Sequence, residues 1–470
     1  MLYVKAVAAG ALLLGLSAHA QGQSNRGTFD PRAGSNSDGT FASLVGRGDV
    51  RYVTNGGQSP SSEDQFDEIQ WRGALDVNAA INRDLWFFVS DYTFLDRRFS
   101  EQGNQDGQVV LGRSALQVGK SNKPLFFNLE HSSQEMSLRP GLPDVPNNRD
   151  RRTILTAGLN STLRMVQGNY LHLWAEYTDI SLRYDFRNEA EKTGAGIDYT
   201  RLVSTLYQAG VSLSAYRLDY QYVPEDFDNQ RAYVWWKANL RRLDYSVQFG
   251  IDRINLDAGT SEQTPYVDLN ASYDGGAQVW GAGFTQFLTD TSQGSLNNEF
   301  FNSDVGQDGV KREVDQFERR ELEVSWLHRR PCRGCSARFS VGLETESYLQ
   351  LTQFDSEEAF TRFSFDYQMS RLLDVDVFAS YNRIGFPNQN SENAVFSDFN
   401  QFRAELGLSF NVLRAGALRT YIGNISRDYD SGSRDGFSSQ YIGLTFSYDL
   451  YQYDRGRRAG ISNQDRSRNP

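Results

Sequence analysis

After its first twenty residues the sequence has no apolar run of the roughly 20 residues that a membrane-spanning helix needs, so any integral membrane role falls to strands. Cysteine is almost missing. Cys332 and Cys335 are the two in the chain, which excludes a disulfide framework as the basis of the fold. Histidine is nearly as scarce, with His131, His172 and His328 on different predicted strands of the mature chain. His172 and Glu176 share a strand face, but four residues along a strand span about 13 Å, too far to pair. Neither GxSxG nor HExxH occurs. The expectation is a protein that is not an enzyme and has no cofactor and no metal site, with a barrel lipase or glycan hydrolase as the least favoured reading. Positive charge is also in deficit: 48 Lys and Arg stand against 59 Asp and Glu, a net charge of -11 that argues against nucleic acid as a partner.

What is present begins with an export signal. Lys5 supplies a positive charge, Ala6 to Leu16 is an almost unbroken apolar run, and Ala18-His19-Ala20 is a small-x-small cleavage site. Residues 1–20 therefore read as a secretory signal peptide, with the mature chain starting at Gln21. Residues 21–40, rich in Gly, Ser and Asn, read as a flexible periplasmic leader too short to form a globular plug. Residues 41–451 read as one continuous series of hairpins, and residues 452–470 as a polar C-terminal tail.

The stretch QFRAELGLSF, Gln401 to Phe410, shows the unit of the series. Phe402, Leu406, Leu408 and Phe410 fall on one face of a strand, and Arg403 and Glu405 on the other. The same period of two runs through 244–252, 361–369 and 441–450. In 205–222 the apolar phase shifts near Tyr216, from Ala209, Val211 and Leu213 to Leu218, Tyr220 and Tyr222, which predicts a bulge. Short turns near 82–84, 120–123, 241–242, 274–276 and 370–371 alternate with longer polar connections. The fold class expected is all-β: a transmembrane antiparallel barrel of about 18–20 strands with short periplasmic turns and long extracellular loops. Nineteen strand candidates lie between 67 and 450, and a weaker one at about 41–54 makes the number even, placing both termini on the periplasmic side. Trp71, Trp86, Tyr92, Trp174, Tyr177, Trp326 and Tyr381 fall near strand ends, as aromatic girdles require.

In such a barrel the polar phase lines the pore. Arg72, Arg113, Arg319, Glu321, Glu323, Arg362, Asp366, Arg403 and Glu405 are the expected pore-lining residues, and their mixed signs suit selection of polar solutes by charge and size. The longest connection, about 289–313, with Phe300 and Phe301, is a candidate to fold inward or to serve at the surface. Cys332-Arg333-Gly334-Cys335 falls in a predicted periplasmic turn and reads as a small disulfide clasp. A redox centre would need a βαβ context, and zinc would have only three nearby ligands with His328.

With its export signal, its long loops such as LEHSSQEMSLRPGLPDVPNNRDRRT and its aromatic terminal strand QYIGLTFSYDLYQY, the chain resembles outer-membrane β-barrel porin families found beside bacterial exopolysaccharide biosynthesis and export genes. The resemblance covers residues 41–451 and is architectural. It implies the outer membrane of a Gram-negative bacterium, membrane lipid and the barrel assembly machinery as partners, and a polysaccharide or small polar solute as cargo. The polar residues after Tyr451 depart from the usual barrel ending on a terminal aromatic. The function expected is a porin-like channel for polar solutes serving exopolysaccharide export. The alternative is a non-conducting structural or surface-polysaccharide-binding barrel.

Overall fold

The computed structural model describes residues 39–56, 58, 65–101, 106–119, 124–137, 149–183, 189–222, 226–257, 259–290, 315–388, 398–413, 415–430 and 436–455. The signal peptide, nearly all of the leader, the turn at 120–123, Phe300, Phe301 and the tail beyond Arg455 lie outside these residues. The strands are β1 (Gly39–Val53), β2 (Glu68–Asn82), β3 (Trp86–Phe99), β4 (Gly107–Val118), β5 (Leu125–Ser137), β6 (Arg149–Arg164), β7 (Asn169–Leu182), β8 (Ala190–Leu202), β9 (Tyr207–Tyr220) and β10 (Phe227–Asn239). They continue as β11 (Leu243–Leu256), β12 (Ser261–Asp274), β13 (Gln278–Asp290), β14 (Gln316–His328), β15 (Cys335–Tyr348), β16 (Ser356–Gln368), β17 (Leu373–Gly385), β18 (Phe399–Leu413), β19 (Gly416–Tyr429) and β20 (Phe437–Arg455). Each pairs antiparallel with its sequence neighbours, and β1 pairs with β20, so one 20-stranded sheet closes on itself. Closure leaves no edge strand.

The weak first candidate is a full strand, and it is the one that closes the barrel. β20 runs past Tyr451 because Gln452 to Arg455 pair with Ser43 to Thr40, so the tail begins four residues later than the sequence suggests. The short turns gather at one end with Gly39 and Arg455, and the long connections at the other. Two of the short turns depend on glycine: Gly276 and Gly334 have φ of +91° and +82°. Long connections share a different device. Asp106, Asp226, Asp355 and Asp398, each just before the second strand of a hairpin, accept the backbone N–H of Phe99, Tyr220, Tyr348 and Phe386 at 2.6–2.8 Å.

Alternation decides the two faces of the wall. On β18 Phe402, Leu406, Leu408 and Phe410 point outward and are 36–44% exposed, whereas Phe399 and Gln401 point inward and are 1% and 7% exposed. The predicted bulge near Tyr216 does not exist: β9 keeps an unbroken register with both β8 and β10. The apolar phase shifts there because Leu218 and Tyr220 face inward into a buried cluster with Ala190, Phe227, Ile254 and Leu288. Trp174 likewise is no girdle residue. It lies on the inner face across Gly196, where a Cβ would come within 2.4 Å of the indole. The irregularities fall elsewhere, between Leu44 and Val45 and between Phe410 and Leu413.

Candidate functional site

The inner face changes character along the barrel axis. Toward the long connections it is packed, with buried clusters at Ile180 and Leu182, at Ile384, Phe386 and Phe399, and at Val53, Tyr421, Ile425, Phe437 and Tyr441. Toward the short turns it opens. Along β16 the inward residues pass from buried Ser356, Glu358 and Phe360 through half-buried Arg362 to exposed Asp366.

Two seams narrow the packed end. β12 and β13 pair only from Asp274 and Val279 up to Val267 and Gln286, although β12 continues on β11 to Ser261 and β13 on β14 to Asp290. The end of the β13–β14 hairpin leaves the wall and enters the barrel. There the Leu288 N–H donates to Asp252 at 3.1 Å, the Tyr220 hydroxyl donates to Asp290 at 3.1 Å, and Thr264 donates to Glu318 at 2.8 Å. Arg231, ion-paired to Asp252 at 2.5 Å, holds the inner wall beneath it. Leu288 completes the apolar cluster on the inner face of β8–β11. The second seam follows Gly112 and Ser133, the last pair between β4 and β5. Beyond it Arg97, on the inner face of β3, donates to Glu135 of β5 at 2.9 Å, so β5 lies inside β3 and β4. Gly112 has φ of +141°, and a Cβ there would meet the Asp91 carbonyl oxygen at 2.1 Å.

The residues expected to line a pore all stand on the inner face, in separate groups. Arg72 on β2 donates to Gln70 at 3.3 Å, and Arg113 on β4 is in register with Asp91. Arg403 and Glu405 on β18 are 3.6 Å apart, and Glu405 also receives Arg419 and the Tyr441 hydroxyl, each at 2.8 Å. Arg419 reaches Asp376 at 2.5 Å as well. Arg319, Glu321 and Glu323 lie on β14, and Arg362 and Asp366 on β16. Arg319 pairs with Glu344 at 2.6 Å, Arg362 lies 4.2 Å over the Phe360 ring, and Asp366 accepts Ser336 at 3.1 Å. Cys332 and Cys335 are joined as a disulfide in the turn between β14 and β15.

Several inner-face residues escaped sequence reasoning. Arg419 and Arg427 share their face with Tyr421 and Ile425, which hides the polar phase of β19. Arg427 is wholly buried, donating to Gln401 at 2.7 Å and lying 4.2 Å over Phe399. On the outer face, the Tyr92 hydroxyl is hydrogen-bonded to His131 Nδ1 and lies 3.3 Å from Ser114 Oγ, so a polar trio satisfies itself on an otherwise apolar wall.

No protein-family model and no curated protein matches the sequence. Solved structures similar to the chain include transporters and porins. The FrpB iron transporter of Neisseria meningitidis in its apoprotein form shares 8% identity at a TM-score of 0.47, over 87% of this chain and 81% of its own. A BenF-like porin from Pseudomonas fluorescens shares 14% identity at 0.43, over 87% and 99%. OccK2 of Pseudomonas aeruginosa, solved in complex with glucuronate, shares 11% identity at 0.40, over 87% and 98%.

Proposed function

We propose that the protein is an outer-membrane channel for small polar solutes, narrowed on the long-connection side by its own β13–β14 hairpin. The observation that carries this is the contrast between the two faces of one closed wall. The outer face is a belt of exposed Leu, Val, Ile and Phe, and the inner face holds both signs of charge. A strand that alternates apolar outward and polar inward suits lipid outside and water inside. Opposed carboxylates and guanidinium groups select permeating solutes by charge and size.

Exopolysaccharide export is the finer form of this reading and requires the packed end to widen during passage. The test is single-channel conductance of the refolded mature protein in a planar bilayer, with and without a polyanionic polysaccharide. Stable openings support the channel, and block by the polymer supports the finer form. A folded barrel that stays silent overturns the channel. It would favour a closed structural or surface-binding barrel, the reading to which the packed inner face at the long-connection end belongs.

A further inference from the structure

We propose that the inner face of β14–β16 is a binding site for the ammonium groups of amine-bearing solutes; this rests on the channel reading and names a class of solute for it. In register, Glu321 stands opposite Glu344 and Glu344 opposite Glu358, so three carboxylates form a row across three neighbouring strands. Side chains directly opposite in an antiparallel pair are neighbours, and like charges there repel. The row is also dry, with Glu321, Glu344 and Glu358 9%, 1% and 2% exposed. Arg319 pairs with Glu344 at 2.6 Å, and Arg362 also lies close enough to act on the row, so two guanidinium groups stand beside three carboxylates.

A second observation is independent of the acids. Ser356 Oγ and Asn382 Oδ1, on residues each 2% exposed, have no hydrogen-bond partner among the described residues, and neither has either oxygen of Glu358. Ser356 precedes Glu358 by two residues on the same face of β16, and Asn382 is in register with Phe360, the next inward residue. Buried oxygens of this kind are satisfied in native proteins. All of these oxygens can accept a hydrogen bond, and the carboxylate oxygens among them favour a donor that carries positive charge.

The spacing favours an amine over a metal ion. Among the described residues no three Asp, Glu, His or Cys side chains converge closely enough to hold a metal. An ammonium group carries three donors aimed in different directions and can serve carboxylates that stand apart on separate strands. A solute with several amines can extend along the row. Beside the row the Phe360 ring lies so close over Gly342 that a Cβ there would sit 2.2 Å from it, and Arg362 lies 4.2 Å over the ring. Access is from the short-turn end, where Asp366 marks the open part of the inner face.

The test is calorimetric titration of the folded full barrel in detergent with spermidine, with calcium chloride at matched ionic strength as the competing probe. Saturable spermidine binding that weakens at least tenfold in Glu358→Gln, and also weakens in Ser356→Ala, is expected. Heat-modifiable gel mobility confirms that each variant is folded. No saturable binding, equal binding by the wild type and Glu358→Gln, or binding of calcium in place of spermidine would overturn the site. Calorimetry does not require conduction, so a silent barrel that binds spermidine contradicts the channel alone, and a conducting barrel that does not bind it contradicts the site alone.

Discussion

The two sides of the inner face treat carboxylates in opposite ways. On the side formed by β17–β20, β1 and β2, every acid named here has donors. Asp376 and Glu405 share Arg419, Asp49 accepts Tyr421 at 2.7 Å and Thr445 at 2.8 Å, and Asp76 accepts Arg47 at 2.6 Å. On β14–β16 the acids face one another across the strands, and Glu358 receives no hydrogen bond among the described residues. Both sides carry acids and guanidinium groups, and the register sets which of them meet. A polar inner face is therefore not uniform: on one side each of these acids has a donor, and on the other Arg319 pairs with Glu344 while Glu358 has no hydrogen-bond partner among the described residues. β14 also belongs to the hairpin that leaves the wall, so the glutamate row lies on the side attached to that hairpin.

The largest effect should come from the constriction. Leu288→Ala leaves a cavity in the cluster that docks the hairpin and should cost about 3 kcal/mol of that docking. The readout is a single-channel conductance larger than that of the wild type, with the barrel still heat-modifiable. Next, on the paired side, Arg419→Ala strips Asp376 and Glu405 of a shared guanidinium. Charge-assisted hydrogen bonds of this kind are worth about 2 kcal/mol, and the urea midpoint of unfolding in detergent should fall accordingly. The smallest effect has the opposite sign. Glu358→Gln removes a like charge from the row and should leave the same midpoint unchanged or raise it by up to about 1 kcal/mol. If both substitutions destabilise equally, the contrast between the two sides fails.

Much of this was legible in the sequence because a strand with two different surroundings must alternate. The faces of β18, the short turns near 82–84, 241–242, 274–276 and 370–371, and a strand near residue 41 follow from period two and from turn chemistry. Closure of the barrel by that strand required the structure. The errors have one physical cause: alternation shows that two faces differ, not which solvent each meets. Leu218 and Tyr220 look like lipid-facing residues out of phase, which mimics a bulge, yet they face an apolar inner cluster on a strand of unbroken register. Trp174 looked interfacial for the same reason. The seams at Gly112 and Gln286 depend on where pairing between distant stretches stops, which no local pattern records. The glutamate row was half visible: Glu321 stood in the polar phase of its strand, but its opposition to Glu344 and Glu358 required the register.

The most direct test of the hairpin inside the barrel is a disulfide between Leu288→Cys and Ile254→Cys, one on the hairpin and one on the inner wall of β11, both in the same buried cluster. With the hairpin inside the barrel, the bond forms in the folded protein, is seen by mass spectrometry, and leaves single-channel conductance at the wild-type value. A folded, heat-modifiable barrel in which the two thiols stay unlinked under oxidising conditions would contradict that placement.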